Sequence, residues 1–418
     1  MTPVEWRRSF VARVLAQPER SLDTFNAALV REGAQALTPV LCPVVIDAAT
    51  RRQFERLVRA WHQGMHEALR AWADDPAEPI VFPPGLEARV RDDARHARAL
   101  GSTRYDFIVD AAGAATLIEC QAGDPSGMGV EEASAVAFAS LDAFDATRLH
   151  RTSIASSFRQ FVAPSPTTAG LVVFVIHREA FLEWDVARLL RVFRAEGVDA
   201  IMVDPAELRF DDGRLWVGAR AVKTVVRDSL EDLLAPERVE ASRALMEAWA
   251  AGAVEVINPM GSIAADHKVL LGRLRSSSVL ERLPGETAAL LRQTVPETVA
   301  LESVPAPSRQ AWVLKPSDGF GGFDVTIGPA VTDDEWRRAV MAARSSGRAF
   351  LLQSFVRAER AEFPVVVDGR LELRPHHLVL SGWMHGERFG GLFARVHQRA
   401  VVNVHQGGGL VPVYTLAS

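Results

Sequence analysis

Apolar residues recur at helical spacing in two early stretches, Ser21–Arg31 and Arg51–His62, and Pro39, Pro43, Pro79, Pro83 and Pro84 punctuate them. Residues 1–100 are therefore predicted to be a helical region. The period then changes to two. Tyr105–Val109 and Thr116–Cys120 alternate around a turn at Gly113 and predict a hairpin. A helix over Glu131–Phe144 follows the Gly- and Ser-bearing segment Gly123–Gly129. From Gly170 the pattern is β-α-β: the apolar run Leu171–Ile176, the amphipathic stretch Trp184–Glu196 and a second run, Ala200–Val203. A hairpin over Leu208–Val217, turning at Asp212-Gly213, and a strand at Ala221–Arg227 complete a small Rossmann-like sheet. It carries no G-x-G-x-x-G, so no dinucleotide is assigned to it.

The second half begins at Val256-Ile-Asn-Pro259. A helix opened by Ser262 or Asp266 is predicted to carry Lys268, with further helix over 277–294 and a proline-punctuated link from Pro296 to Pro307. Two short strands, Trp312–Leu314 and Phe323–Ile327, flank a turn that holds Gly319, Gly321 and Gly322. Ala349–Arg357 reads as an apolar strand interrupted by Gln353. Antiparallel strands with turns at Asp368-Gly369 and Gly407–Gly409 fill the remainder.

Three stretches carry candidate chemistry. Glycines after Lys315-Pro316 permit positive φ and let backbone N–H groups approach a ligand, beside a lysine that meets phosphate oxygens as a point charge. The spacing is not that of a P-loop, because no Lys-Ser/Thr pair follows the glycines into a helix. An ordinary glycine-rich hairpin is the other reading. In the early hairpin, side chains two apart share a face, so Arg104 and Asp106 lie together, as do Glu119 and Gln121. Two carboxylates, an amide oxygen and a guanidinium suit a hard cation with bound phosphates; a surface hairpin with a salt bridge is the alternative. The N–H groups opening the helix after Gly123–Gly129, at Ser126, are candidates for a substrate carboxylate. His177 and Arg178 stand at a strand's C-terminal end, the ligand edge of such sheets; structural punctuation of that end is the equal alternative. The hinge after Gln353, at Phe355 and Val356, has the apolar walls and backbone groups that suit an adenine edge. His62 and His66, four apart on one helix, have the spacing of metal ligands but no third ligand in sequence, and are read as a solvated face.

Composition narrows the classes. With 418 residues, 48% hydrophobic and 24% charged, the chain is an ordinary globular one of two or three subdomains. A net charge of −5 argues against a nucleic-acid binder, no apolar run is long enough to span a bilayer, and two cysteines are too few for a disulfide framework. The start of the chain has no signal-peptide pattern, so a reduced cytoplasmic setting is expected. Of 47 basic residues only Lys223, Lys268 and Lys315 are lysines. Where arginine serves everywhere else, a surviving lysine points to a need for the compact ammonium.

The order of motifs resembles that of the circularly permuted ATP-grasp proteins and, more distantly, glutathionylspermidine synthase. The shared marks are Arg104-x-Asp106-Phe107, Glu119-x-Gln121, Asn258-Pro259, Lys268, Lys315-Pro316 with the glycine flap, Gln353, the Gly-Leu-x-Ala-Arg395-Val strand, and Asn403 before Gly407–Gly409. The resemblance implies an α/β ATP-grasp fold, circularly permuted, with 101–165 and 261–418 forming its core and lobes. Within that, 261–360 carries the flap and 361–418 the C-terminal lobe; 166–260 is a Rossmann-like pre-ATP-grasp subdomain, and residues 1–100 match no named part. It implies an ATP-dependent carboxylate–amine ligase working through an acylphosphate. Asp106, Glu119 and Gln121 would hold Mg²⁺, and Arg104 and Arg395 would act on the transferring phosphoryl. Lys268, Lys315, Gly319, Gly321, Gly322, Gln353, Phe355 and Val356 would bind ATP, and Ser126, His177, Arg178 and Asn403 the substrates. The partners would be a small or peptide carboxylate and an amine. Gln121 replaces the family's Asn, keeping the carbonyl and adding a methylene, and the residues around Tyr414 lack the family's acidic, tryptophan-bearing ending. An ATP-binding protein that has lost its chemistry, or a kinase-like phosphotransferase, are the competing functions.

Overall fold

A computed structural model of the chain describes residues 1–34, 36–75, 80, 82, 87–95, 99–165, 170–177, 183–227, 233–319 and 321–417. Arg178, Pro79, Pro83 and Pro84 lie outside the described residues. The largest sheet runs β1 (Val44–Ile46), β18 (Gly409–Leu416), β17 (Arg388–His397), β16 (Arg370–His385), β2 (Ser102–Val109), β3 (Ala115–Gln121). β15 (Arg360–Val367) also pairs with β16, and β4 (Leu149–His150) with β18. Three strands from the end of the chain thus lie between β1 and the β2–β3 hairpin in one sheet, and Ser381 on β16 comes to lie opposite Asp106 on β2.

The β-α-β segment forms a second sheet from β5 (Leu171–Val175), β6 (Ala200–Val203), β7 (Leu208–Asp211), β8 (Arg214–Val217), β9 (Arg220–Arg227) and β10 (Glu255–Ile257). β5 is buried along its whole length and parallel to both β6 and β9, as a sheet covered on both faces requires. Asp212 and Gly213 both have positive φ (51° and 69°), the backbone that a two-residue hairpin turn needs. A third, four-stranded sheet has the order β11 (Thr298–Ala300), β14 (Phe350–Ser354), β12 (Trp312–Pro316), β13 (Thr326–Ile327). It has its own small core of Leu301, Leu314, Trp336, Phe350 and Leu352. Among the described residues no helix is long and apolar enough to cross a membrane.

Several local expectations are corrected. The first hundred residues are not helical throughout: β1 joins the large sheet, parallel to β18, with Val44 opposite Val413. The helix Ala48–Asp74 packs beneath the sheet and buries Phe54, Trp61, Met65, Leu69 and Trp72. His62 and His66 lie on that same face and are buried, so they are not a solvated pair. Lys268 is not within a helix but caps the short helix Val269–Arg273. The stretch 277–294 breaks at Pro284 into Ser277–Leu280 and Gly285–Thr294, because proline lacks the N–H and clashes with the preceding turn. The flap's second strand shrinks to Thr326–Ile327, and the link before the flap contains β11.

Candidate active site

Between the large sheet and the four-stranded sheet lies a cleft of about 410 Å³, within the range of small-molecule sites. The large sheet lines it with Ile108, Thr116, Ile118, Glu119, His377, Val379 and Arg395, and the small sheet with Val313, Lys315, Ile327 and Gln353. Lys268, Gly319, Gly322, Phe355, Val356 and Asn403 close the remaining walls. The early hairpin and the late glycine flap therefore face one cavity.

A break in strand pairing shapes its floor. Arg104 stands opposite Gln121 and Asp106 opposite Glu119, but the register then shifts so that Phe107 meets Leu117. Ile118 is the extra residue of this bulge, and bulges re-aim side chains. Ile118 and Glu119 both line the cleft, whereas Leu117 and Cys120 turn into the core. The Ile118 carbonyl accepts a hydrogen bond from Lys315 Nζ at 3.1 Å.

Asp106 is fully buried and saturated. It accepts from Arg104 Nε at 3.0 Å and Nη2 at 3.1 Å, from Arg395 Nη2 at 2.7 Å, and from Ser381 Oγ at 2.6 Å. Burial pushes its carboxyl up, yet the two guanidiniums and the Ser381 hydroxyl outweigh this and hold it down at about 2. Asp106 thereby fixes both arginines; Arg395 lines the cleft, whereas Arg104, expected there with it, is buried outside the lining and turns its third nitrogen to Ser126 O. Ser381 is the one member of this group that sequence reasoning missed; a serine amid the apolar run Leu378-Val-Leu-Ser-Gly-Trp383 was the available signal.

Glu119 pairs with Lys268 Nζ at 3.0 Å. Burial raises its carboxyl, but Lys268, Lys315 and Arg395 together lower it despite the neighbouring Asp106 charge. Lys315 Nζ also donates to Gln353 Oε1 at 2.6 Å. Burial, reinforced by Lys268, pushes the Lys315 ammonium down to about 8 against the pull of Glu119 and Asp106. Four cations (Arg104, Lys268, Lys315, Arg395) thus surround two carboxylates (Asp106, Glu119), a surplus of two positive charges. Such a cluster attracts a polyanion into a partly desolvated site.

The flap is tied to this floor. Lys268 donates through Nζ to the Gly319 carbonyl and through its backbone N–H to Ser317 O at 2.9 Å. Gln406 Nε2 donates to Gly321 O at 2.9 Å. Gly321 and Gly322 have φ of 65° and 73°, and a Cβ on Gly322 would stand 2.6 Å from Val401 Cγ1. Only glycine fits there.

Other candidates fall elsewhere. Ser126 lines a separate cavity of about 60 Å³ beside Asp185 and Arg227, and its carbonyl accepts from Arg104 Nη1 at 2.8 Å. The helix Met128–Ala139 does not offer its N-terminus to a substrate carboxylate: Asp185 takes the N–H groups of Gly127 (2.9 Å) and Val130 (2.7 Å). Asp266 likewise takes those of Ala122 and Gly123, instead of opening a helix. The positive end of the helix dipole has found an internal carboxylate. His177 is buried with Nδ1 3.9 Å from Asp204, outside the lining of the cleft. The Phe355 N–H is donated to Ala311 O at 2.7 Å. Gln121 is half-buried, and among the described residues its side chain makes no hydrogen bond and does not line the cleft. Asn258 is structural: it accepts from Ser102 N at 2.5 Å and donates to Ser102 O and Ala122 O at 2.8 and 2.7 Å, bolting the ends of β2 and β3 together.

The donors present fit a hard cation that arrives with phosphates. Glu119 uses one oxygen on Lys268, and among the described residues its second makes no bond. Asp106 has no lone-pair direction to spare. One carboxylate plus phosphate oxygens is a set that magnesium accepts.

A family model described as circularly permuted ATP-grasp type 2 matches residues 94–396. The chain belongs to the circularly permuted ATP-grasp family. Membership makes it an ATP-grasp α/β protein and supports an ATP-dependent ligase in general terms. Among solved structures it is similar to a glutathione synthetase-like effector from Globodera pallida in its apo form, with a TM-score of 0.65 at 12% identity. That match covers 95% of this chain and 96% of the other, and it shows the shared fold alone. A D-cycloserine synthetase matches 60% of this chain and 92% of its own at 15% identity, but its TM-score of 0.30 is too low to argue from. No curated protein matches the sequence.

Proposed function

We propose that this ATP-grasp protein is a carboxylate–amine ligase that forms an amide bond through an acylphosphate. The observation that carries the proposal is the surplus of positive charge under the glycine flap. Lys268 and Lys315 from one side and Arg395 from the other face one cleft, with Arg104 buried behind Arg395 on the shared Asp106, and phosphoryl transfer needs positioning and charge neutralisation more than a covalent nucleophile. In this reading the adenine edge meets the hinge at Val356, between the apolar walls Val313, Ile327 and Val379. The flap amides and the two lysines take the phosphates. Glu119 is the principal protein ligand of Mg²⁺, which would supply Lewis-acid neutralisation of the phosphate charge. Asp106 serves as the anchor of the two arginines, and Gln121 has at most an outer role.

The reaction has two steps. A carboxylate oxygen of the acid attacks the γ-phosphorus, the bond to the β,γ-bridging oxygen breaks, and ADP leaves. The Arg395 guanidinium, already fixed on Asp106, holds the equatorial oxygens while charge shifts, and Arg104, on the same carboxylate, positions it and adds a buried positive charge. The amine then attacks the acyl carbon, phosphate departs with the C–O bond pair, and the amine's proton passes to phosphate or solvent. Asn403, at the cleft wall, is assigned to substrate.

A second reading is supported by one observation: with Asp106 saturated and Gln121 unengaged, the metal-binding set is thin, as in an ATP-binding protein that has lost its chemistry. An acid-by-amine screen read by ADP release separates them. The ligase requires ADP release that depends on both an acid and an amine. Tight nucleotide binding without turnover selects the second reading, and phosphorylated acid formed with no amine selects a phosphotransferase.

A further inference from the structure

The buried histidine pair on the helix Ala48–Asp74 does have a third ligand, which the sequence hides. Glu387, in the turn between β16 and β17, comes close enough that one ligating atom each from His62, His66 and Glu387 all lie within 4.8 Å of one another. We infer that these three residues form a binding site for one zinc-class divalent transition-metal ion, distinct from the nucleotide cleft.

Three observations support it. His62 is fully buried, and its Nε2 is among the buried polar atoms that meet no hydrogen-bond partner, a state that calls for an explanation in a packed core. Its other nitrogen, Nδ1, lies 3.0 Å from the Tyr105 hydroxyl. A ligating histidine has this arrangement, one ring nitrogen held by an outer partner and the other left for the metal. Finally, Glu387 is exposed and His66 slightly so, which provides an entry path and a compensating negative charge. Arg59 steadies the turn by donating to the Glu387 carbonyl at 2.8 Å.

Two imidazoles and one carboxylate with an open fourth position suit Zn²⁺ and disfavour Mg²⁺, which prefers oxygen alone. Bonds of about 2.0–2.1 Å at tetrahedral angles require ligand atoms roughly 3.3 Å apart. Glu387, exposed on its surface turn, is the ligand with room to swing towards the two imidazoles. The site lies behind the cleft: Tyr105, its outer partner, sits on β2 between Arg104 and Asp106 and faces the opposite side of the sheet. A bound ion would therefore staple the N-terminal helix to the late hairpin without entering the phosphate chemistry.

The test uses the full-length chain, stripped with chelator and desalted. Zn²⁺ uptake is measured by elemental analysis, and Co²⁺ uptake by the intense visible bands of a four-coordinate ion. One equivalent is expected, bound equally well in excess Mg²⁺, with a rise in Tm of about 3–5 °C at a hundredfold excess over Kd. Tyr105→Phe should weaken binding about 10–100-fold, and Glu387→Gln by more, since it removes a direct ligand. Glu387 is on a surface turn, so its variant keeps the test open even if His66→Ala fails to fold. Absence of stoichiometric uptake, or uptake unchanged in folded Glu387→Gln protein, overturns the assignment.

Discussion

Lys315 gives the sharpest test of the cleft. In the free protein its ammonium is held by Gln353 Oε1 and Ile118 O, and burial pushes it down to about 8. A folded pKa below the ordinary 10.5 means that burying the charge costs stability wherever the lysine is protonated in both states, below about pH 8. The cost disappears as pH rises towards 10.5. The shift corresponds to on the order of 3 kcal/mol. Phosphates arriving beside the ammonium favour its charged form and raise that value, so binding at alkaline pH must take up a proton. ATP affinity should therefore be flat below about pH 7.5 and fall by up to about tenfold per unit above pH 8. Lys315→Met should weaken ATP binding about 10- to 150-fold at pH 7, the worth of one charge-assisted hydrogen bond of about 1.5–3 kcal/mol. It should also abolish the alkaline fall. Its effect on the stability of the free protein should be small, because removing the buried charge offsets the two oxygens left without a donor. Calorimetric titration of ATP from pH 7 to 9.5, in buffers of different ionisation enthalpy, reads both affinity and proton uptake. An affinity independent of pH in the parent protein, or the same alkaline slope in Lys315→Met, would refute the reasoning.

Three further outcomes are expected. Arg395→Met leaves Asp106 buried with one guanidinium; urea unfolding at pH 7 should show a loss of about 3 kcal/mol, and turnover should fall on the order of 10²–10³. Because the Asp106 carboxyl is held at about 2, its contribution is present above the ordinary carboxylate value and fades as pH falls through 2. The deficit of Arg395→Met should accordingly shrink in strongly acid solution. Asn258→Ala strips the Ser102 and Ala122 backbone groups of their partners, and a loss of about 3–5 kcal/mol in thermal or urea unfolding checks it. Gln121→Asn should preserve or raise ADP release under the conditions of the substrate screen, since Gln121 stands clear of the cleft; complete inactivation would show a contact that the free structure does not make.

Much of the architecture follows from local pattern. The β-α-β run around Leu171–Val175, the Asp-Gly turns and the glycine flap follow from periodicity and turn chemistry that each segment carries by itself. The scarcity of lysine was also informative: Lys268 and Lys315 both reach the cleft, whereas Lys223 lies exposed on β9. The alternation of Arg104 and Asp106 on one face was readable for the same reason, since a strand's period is two whatever it pairs with.

What the tertiary structure alone decided was which of these local pieces meet. Ser381 reaches Asp106 across 275 positions, and the bulge at Ile118 arises because β3 must keep Leu117 in the core while Glu119 turns to the cleft. The helix terminus at Gly127 looked like an anion site until Asp185, from a helix in the second sheet's layer, came to fill it. His62 and His66 looked solvated because their burial depends on β2 and β16 packing over them. Periodicity is a property of neighbours in the chain, whereas burial and charge pairing belong to neighbours in space, and only packing joins the two.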